Sequence, residues 1–181
     1  MKKLPLPGET VLASESGRFA GGKGLNQAVA IHRAGGDVTF QFAVGDDDDG
    51  EFLTNFLSER KVDFSRILDS GTATSKAFIL VDQDGENQIA VVPGANYSPK
   101  LREQSFQEGP GLLVLQLEIG NENNLVVAAL AKKAGWKVVL TPAPSSEFDP
   151  KLLEFVDIIT LNETEVTQLV GATDFESAGA E

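Results

Sequence analysis

The run Phe19-Ala20-Gly21-Gly22-Lys23-Gly24-Leu25-Asn26-Gln27-Ala28 decides how this chain folds and where it could hold a ligand. Its glycines stand at the start of a predicted helix, where a ligand can approach the backbone closely and the first N–H groups are free to bind it. Lys23 and Asn26 are three residues apart, so they project from one helical face. The pattern predicts either a site for a polyhydroxylated or anionic small molecule or a glycine-rich turn that only begins a helix.

A nucleotide-binding P-loop is the alternative interpretation of this region, and the sequence excludes it. Residues 17–23 fit the pattern G-x-x-x-x-G-K, but Gly24 stands where such a loop needs a Ser or Thr hydroxyl for magnesium. Residues 9–16 are mostly polar or alternating, whereas a P-loop follows a buried apolar strand. We therefore reject the P-loop.

Composition narrows the possible partners. The formal charge of −12, from 27 acidic and 15 basic residues, predicts a surface that repels nucleic acid and anionic membranes. No apolar run approaches the roughly 20 residues that span a bilayer, and we expect no secretory signal. The 181 residues contain no cysteine, which excludes disulfides and thiolate metal sites among them and fits a cytoplasmic protein.

Alternating helices and strands predict an α/β fold. Helices are predicted at residues 22–34, 52–57, 123–134 and 150–155, with a last one ending at Gly171; strands are predicted at residues 38–44, 112–117, 137–141 and 157–161. Continuous apolar strands that alternate with helices are typical of an open parallel sheet covered on both faces.

A separate hairpin is predicted in the first half. Residues 76–81 and 88–92 are rich in β-formers and flank an Asp84-Gly85 turn signal. Together with residues 10–14 they could form a small accessory sheet outside the main core.

The acidic run from Asp46 to Asp49 precedes the second predicted helix. Carboxylates are stabilised at a helix N-terminus, and four adjacent carboxylates do not converge on one metal ion. We predict that this run caps the helix.

Polar residues follow the predicted parallel strands where each strand ends. Gln116 and Glu118 follow the first strand of the second half, residues 141–144 follow the next, and Asn162 with Glu165 follows the third. The carboxyl ends of parallel strands share one edge of a sheet, and ligands bind there. On pattern alone Glu118 is either a ligand for hydroxyls or a solvated carboxylate. Asn162 and Glu165 favour a capping box over metal or nucleotide chemistry.

An ordered set of motifs resembles the ribokinase-like family of sugar kinases, the phosphofructokinase-B type. The motifs are Pro7-Gly8-Glu9-Thr10, Gly21-Gly22-Lys23-Gly24-Leu25-Asn26-Gln27-Ala28, Gly45-Asp46-Asp47 with Gly50, Gly94-Ala95-Asn96, Gln116-Leu117-Glu118, Thr141-Pro142-Ala143-Pro144 and Asn162-Glu163-Thr164-Glu165. One departure is Thr141, where the family usually has an asparagine. The resemblance implies one ribokinase-like α/β domain over residues 1–181, with a partial open parallel sheet flanked by helices. It also implies a small β-sheet lid from residues 9–16 and 75–92.

The resemblance also implies roles for individual residues. Gly22, Lys23, Gly24, Asn26 and Glu118 would bind the sugar. Asn162 would contact the nucleotide phosphates, and Glu165 would help to position magnesium through water.

The implied reaction is ATP-dependent phosphorylation of the primary hydroxyl of a pentose such as D-ribose. The implied cofactors are ATP and Mg²⁺, with a monovalent cation in a full-length protein, and the implied assembly is a homodimer through the lid. The family's G-A-G-D segment, which supplies the catalytic base, is absent from the 181 residues, so no catalytic residue is assigned and we expect truncation at both ends. Two alternatives stay open: a non-catalytic sugar-binding or subunit-pairing fragment, and a nucleoside or other carbohydrate kinase of the same superfamily.

Overall fold

The computed structural model describes residues 1–171, in which helices and strands alternate as the sequence predicts. The helices are α1 (Lys23–Arg33), α2 (Asp48–Glu59), α3 (Asn121–Lys133) and α4 (Glu163–Val170). The strands are β1 (Thr39–Val44), β2 (Asp63–Leu68), β3 (Lys76–Val81), β4 (Asn87–Val92), β5 (Leu112–Gln116), β6 (Lys137–Thr141) and β7 (Ile158–Ile159). Short 3-10 helices occupy Gly94–Tyr97, Pro99–Glu103, Ser145–Glu147 and Pro150–Glu154.

The parallel strands form two hydrogen-bonded groups in this part of the chain. Strand β1 pairs with β2, and β5 pairs with β6, which pairs with β7, all in parallel. Helix α1 lies against both groups, because Gly24 packs between the Phe40 ring on β1 and the Gln116 side chain on β5. The predicted α/β class with helix-flanked parallel strands is confirmed.

Each parallel group has its own apolar core. In the second half, Val138 and Leu140 of β6 are fully buried against Ala128 and Ala131 of α3. In the first half, Val44 and Leu57 are fully buried in a cluster that α1, β1 and α2 share. Burial of these side chains drives the association of helices with strands, and it holds the carboxyl ends of the strands in place.

Strands β3 and β4 form the predicted hairpin, with antiparallel pairs from Lys76 opposite Val92 to Val81 opposite Asn87. Its turn is closed by the Asp82 N–H donating to the Glu86 carbonyl, and Gly85 has a φ of 85° that favours glycine. The hairpin pairs with no other strand within residues 1–171.

The predicted third lid strand is wrong, since residues 9–16 form neither helix nor strand. The chain instead reaches the hairpin at its first residue, where the Met1 amino group donates to the Val81 carbonyl at 3.0 Å. Residues 13–16 are Ala, Ser, Glu and Ser, which have little tendency to form strands without a partner.

One predicted short helix is present, and two strands differ from what the sequence indicates. The short helix predicted at residues 150–155 is a 3-10 helix at Pro150–Glu154, and the Asp149 side chain caps it by accepting from the Lys151 N–H. Strand β7 is only two residues long, and strand β2 was not predicted because its polar residues hide the apolar pattern. Residues 177–181, which we expect to lie in or just before a helix, fall outside the described residues.

The acidic run caps α2, as predicted. Asp47 is the N-cap residue, and its Oδ1 accepts a hydrogen bond from the Gly50 N–H at 2.9 Å. Asp48, Asp49 and Glu51 lie in the first turn, where the helix dipole favours negative charge.

No helix among residues 1–171 is long and apolar enough to cross a membrane.

The buried core supports a stability prediction. Leu140→Ala should lower the free energy of unfolding by about 2–5 kcal/mol, because Leu140 is fully buried and the substitution leaves a cavity. Urea unfolding followed by circular dichroism measures this. Leu12→Ala is the matched control, because Leu12 is 91% exposed and its loss should change stability by less than about 0.5 kcal/mol. Equal effects of the two substitutions would contradict the assigned core.

Candidate functional site

One open cleft contains every residue that the sequence singles out as a binding residue. Its lining includes the five predicted sugar-binding residues and the two predicted nucleotide-site residues: Gly22, Lys23, Gly24, Asn26, Glu118, Asn162 and Glu165. These residues come from the start of α1, the end of β5 and the start of α4. The cleft measures about 2930 Å³, several times the roughly 300–1,000 Å³ of a typical small-molecule pocket.

Glu118 binds directly to the start of α1. Its Oε2 accepts a hydrogen bond from the Lys23 backbone N–H at 2.7 Å, across 95 residues of sequence. The first N–H groups of a helix have no partner inside the helix, and the positive end of the helix dipole lies there, so a carboxylate is stabilised at this position. The structure therefore places Glu118 in contact with the glycine-rich run and leaves its Oε1 without a hydrogen-bond partner among residues 1–171.

Two glycines shape the start of α1. Gly22 is the N-cap residue of α1 and has a φ of 102°, a conformation that side-chain-bearing residues rarely adopt. At Gly24 a Cβ would lie only 3.0 Å from Gln116 Oε1 and 3.2 Å from Phe40 Cε2. A side chain at either position would disturb the contact between α1 and β5.

Lys23 and Asn26 differ in exposure. Lys23 is half-buried and Asn26 is exposed, while the Asn26 N–H donates to the Gly22 carbonyl as part of the first helical turn. Both side chains border the cleft. This placement is consistent with the prediction that Lys23 and Asn26 project from one face of α1. The binding roles of both residues stay predictions.

A chain of polar side chains crosses the carboxyl ends of β5, β6 and β7 beside the cleft. Gln116 donates through Nε2 to Gln27 Oε1, and Gln27 Nε2 donates to Thr141 Oγ1 at 3.1 Å. The Thr141 and Thr160 hydroxyls are 2.7 Å apart. This chain connects α1 with the strand that leads to Asn162.

Sequence reasoning missed two members of this chain, Gln27 and Thr160. Gln27 lies four residues after Lys23, which places both on one helical face, so the helical spacing was the signal that could have found it. Thr160 follows a strand of only two residues, and no sequence pattern distinguishes it from an ordinary strand-end threonine.

Asn162 and Glu165 form a reciprocal capping box at the start of α4. Asn162 Oδ1 accepts from the Glu165 N–H at 2.8 Å, and Glu165 Oε2 accepts from the Asn162 N–H at 3.0 Å. The capping interpretation is confirmed. The box leaves Asn162 Nδ2 and Glu165 Oε1 without a hydrogen-bond partner among the described residues, and both residues border the cleft.

The hairpin covers one side of the cleft with apolar side chains. Ile79, Ile89 and Val91 lie on one face of it, since Ile79 is opposite Ile89 in the register, and all three line the cleft. Phe78, Leu80 and Val92 lie on the other face and are 60%, 37% and 51% exposed. The first face forms an apolar wall at the cleft, and Phe78 and Leu80 of the second face also border the cleft.

Comparison of the sequence with known proteins identifies the family of this chain. A family model described as pfkB family carbohydrate kinase matches residues 2–181. The ribokinase of Haemophilus influenzae is 39% identical over 170 residues, which are 91% of this chain and 56% of that protein. The ribokinase of Staphylococcus aureus is 36% identical over 177 residues, which are 94% of this chain and 58% of that protein. The chain spans a little over half of the length of these curated relatives.

Solved structures agree with the sequence relatives. The ribokinase of Thermotoga maritima matches with a TM-score of 0.79 and 32% identity, over 99% of this chain and 61% of that one. The ribokinase of Arabidopsis thaliana, solved with ribose and ATP, matches with a TM-score of 0.77 and 30% identity, over 99% of this chain and 62% of that one. With its motifs, its fold and the match over residues 2–181 in agreement, the chain belongs to the pfkB family of carbohydrate kinases.

Proposed function

We propose that this chain is the sugar-binding part of an ATP-dependent kinase of the ribokinase type, which phosphorylates the primary hydroxyl of a pentose such as D-ribose. The observation that carries the proposal is the contact of the Glu118 carboxylate with the Lys23 N–H at the glycine-rich helix start. It joins two motifs of the family into one polar surface inside the cleft. The Arabidopsis ribokinase solved with ribose and ATP supports the choice of sugar and nucleotide.

At the sugar end, the proposed ligands are Gly22, Lys23, Gly24, Asn26 and Glu118. Glu118 Oε1 would accept hydrogen bonds from sugar hydroxyls while Oε2 stays bound to the Lys23 N–H. The Lys23 and Asn26 side chains add donors on the same side of the cleft. The apolar wall of Ile79, Ile89 and Val91 would cover the bound sugar and exclude water.

At the nucleotide end, Asn162 Nδ2 would donate to a phosphate oxygen. Magnesium in phosphoryl-transfer sites keeps several waters and binds few protein carboxylates besides the phosphates. The free Glu165 Oε1 fits this demand, because it can accept a hydrogen bond from a magnesium-bound water. Bound magnesium would neutralise charge on the phosphates. No residue of this chain is assigned to the monovalent cation that the resemblance implies.

Phosphoryl transfer depends on positioning and on electrostatic stabilisation of the transferred group. In this chain positioning comes from α1 and Glu118 on the sugar and from the start of α4 on the nucleotide. The polar chain through Gln27, Thr141 and Thr160 would hold these two ends at a fixed separation.

The proposal predicts the effect of removing one charge. Glu118→Gln should keep the hydrogen bond with the Lys23 N–H and lower the affinity for D-ribose about tenfold or more, because a charged acceptor of sugar hydroxyls is lost. Isothermal titration calorimetry of the 181-residue protein with D-ribose measures this. Glu103→Gln is the control, since Glu103 is exposed and outside the cleft lining. Unchanged affinity in Glu118→Gln would remove Glu118 from the sugar site.

A second prediction separates the sugar site from catalysis. The 181-residue protein should bind D-ribose but show no turnover with D-ribose, ATP and magnesium, because its sequence contains no G-A-G-D segment to supply a base. A coupled assay of ADP release measures this. Robust turnover would show that the assignment of catalysis to that segment is wrong. The absence of D-ribose binding would instead favour a non-binding fragment or another substrate of the superfamily.

We also propose that two copies associate through the hairpin face that carries Phe78, Leu80 and Val92. A two-stranded hairpin is marginally stable alone, and exposed Phe78, Leu80 and Val92 give it an apolar surface to bury. Phe78→Asp should therefore shift a dimer to a monomer in light scattering after size-exclusion chromatography. Leu153→Asp is the control, because Leu153 is exposed at 49% outside the hairpin. A monomeric unsubstituted protein, or a dimer that survives Phe78→Asp, would contradict this assembly.

A further inference from the structure

Both ends of the hairpin are attached to the junction between β1 and α2. Residues 72–75 lead into β3, and residues 93–95 follow β4. The two segments are bound to each other by the Ala95 N–H, which donates to the Ala73 carbonyl at 2.9 Å. The Ser75 hydroxyl donates to the Val92 carbonyl at 3.1 Å. The base of the hairpin is therefore one hydrogen-bonded unit.

Thr74 attaches this unit to the rest of the protein. Its side chain is buried at 2% exposure, and its hydroxyl donates to Asp47 Oδ1 at 2.6 Å while it accepts from the Gly45 N–H at 3.0 Å. The Thr74 N–H donates to Asp47 Oδ2 at 2.8 Å. The hydroxyl thus both donates to and accepts from the β1–α2 junction, which binds Thr74 at the border of the cleft.

Asp47 links the same contact to helix α2, because its Oδ1 also accepts from the Gly50 N–H at 2.9 Å. The hydroxyl of Thr74, together with the N–H groups of Thr74 and Gly50, holds the pKa of Asp47 below its ordinary value. Asp47 is therefore ionised at neutral pH, which strengthens each of these hydrogen bonds.

Close packing leaves this segment little room to shift. A Cβ at Gly45 would lie 2.8 Å from the Thr74 nitrogen, and a Cβ at Gly94 would lie 3.2 Å from the Ser75 nitrogen. Residues 72–75 thus pass between the backbones of Gly45 and Gly94, where neither glycine has a side chain in the way. Contacts of this kind fix position, because a small displacement produces overlap.

Two ion pairs lie beside the buried contact. Asp49 pairs with Lys76, the first residue of β3, and with Arg18, each at 2.5 Å. Arg18 also stacks on the Phe52 ring with its guanidinium carbon 4.2 Å from the ring centre. Each exposed ion pair contributes little to stability, so these two pairs only supplement the buried Thr74 contact.

We infer that Thr74 and Asp47 are positioning residues that fix the base of the hairpin and thereby hold its apolar wall over the cleft. The inference rests on the proposed function, because it assumes that the sugar binds beneath this wall. If the hairpin lies over the cleft in only a fraction of the molecules, the apparent affinity for sugar is reduced to that fraction of its full value. Weakening the Thr74 contact should then lower sugar affinity without removing any sugar ligand.

Thr74→Val tests this, because it keeps the shape and the backbone N–H but removes the hydroxyl. Backbone amides of residues 76–92 should exchange with deuterium about fivefold faster or more than in the unsubstituted 181-residue protein, since a buried hydrogen bond is lost at their base. The exchange rates of amides in β5 and β6 should rise only as far as the loss of global unfolding free energy accounts for. The dissociation constant for D-ribose should rise about fivefold or more in calorimetry.

Two further variants distinguish positioning from a general loss of stability. Thr54→Val is the matched control, because the half-buried Thr54 hydroxyl donates to the Gly50 carbonyl at 2.8 Å in the same helix but does not touch the hairpin. It should leave hairpin exchange and D-ribose affinity unchanged. Thr74→Ser should restore both, since serine supplies the hydroxyl.

The inference is overturned if Thr74→Val and Thr54→Val give the same exchange in residues 76–92, or if Thr74→Ser behaves like Thr74→Val. It is also overturned if hairpin exchange rises while D-ribose affinity does not change. Failure of the proposed function gives a different result: the unsubstituted protein then does not bind D-ribose at all, while the exchange measurement still reports whether Thr74 anchors the hairpin.

Discussion

The rest of the site depends on one charge-assisted hydrogen bond, from the Lys23 N–H to the Glu118 carboxylate. It joins the start of α1 to the end of β5 across 95 residues, and it satisfies a helix N–H that would otherwise need a ligand or water. Gly22 is favoured there by its φ of 102°, and Gly24 because a Cβ would crowd Gln116 and Phe40. An acidic protein of net charge −12 thereby places a cation, backbone donors and one oriented carboxylate at the same point.

Two ends of the cleft are built on different principles. At the start of α1 the helix donors are bound by a carboxylate from another strand. At the start of α4 they are bound by the helix's own Asn162 and Glu165. At Glu118 and Glu165 one carboxylate oxygen is bound within the protein, and the other has no hydrogen-bond partner among the described residues. Capping and binding are therefore compatible at Asn162 and Glu165, although sequence patterns alone favour capping. The hydrogen-bonded chain from Gln27 to Thr160 connects these two ends.

Elements with strong local signals were predictable from sequence. Helix α1 follows from its apolar spacing, the hairpin from its Asp-Gly turn, and the N-cap role of Asp47 from acidic residues before an apolar periodic run. Features that depend on distant partners were not predictable. Residues 9–16 lack a strand because no backbone pairs with them, and Thr74 looks like any loop threonine until the fold brings Asp47 and Gly45 against it. Single-sequence patterns report local preference, whereas these contacts arise only from tertiary packing.

The most direct test of the proposed sugar site at the start of α1 is the amide spectrum of the uniformly ¹⁵N-labelled protein during titration with D-ribose. The Lys23 amide is already bound to Glu118, so a sugar that binds Glu118 changes its chemical environment. We predict saturable shifts of the amides of Gly22, Lys23 and Gly24 with a single dissociation constant, and no shift at the distant C-terminal end of α2. Saturable shifts elsewhere, with the Lys23 amide unchanged, would contradict the account.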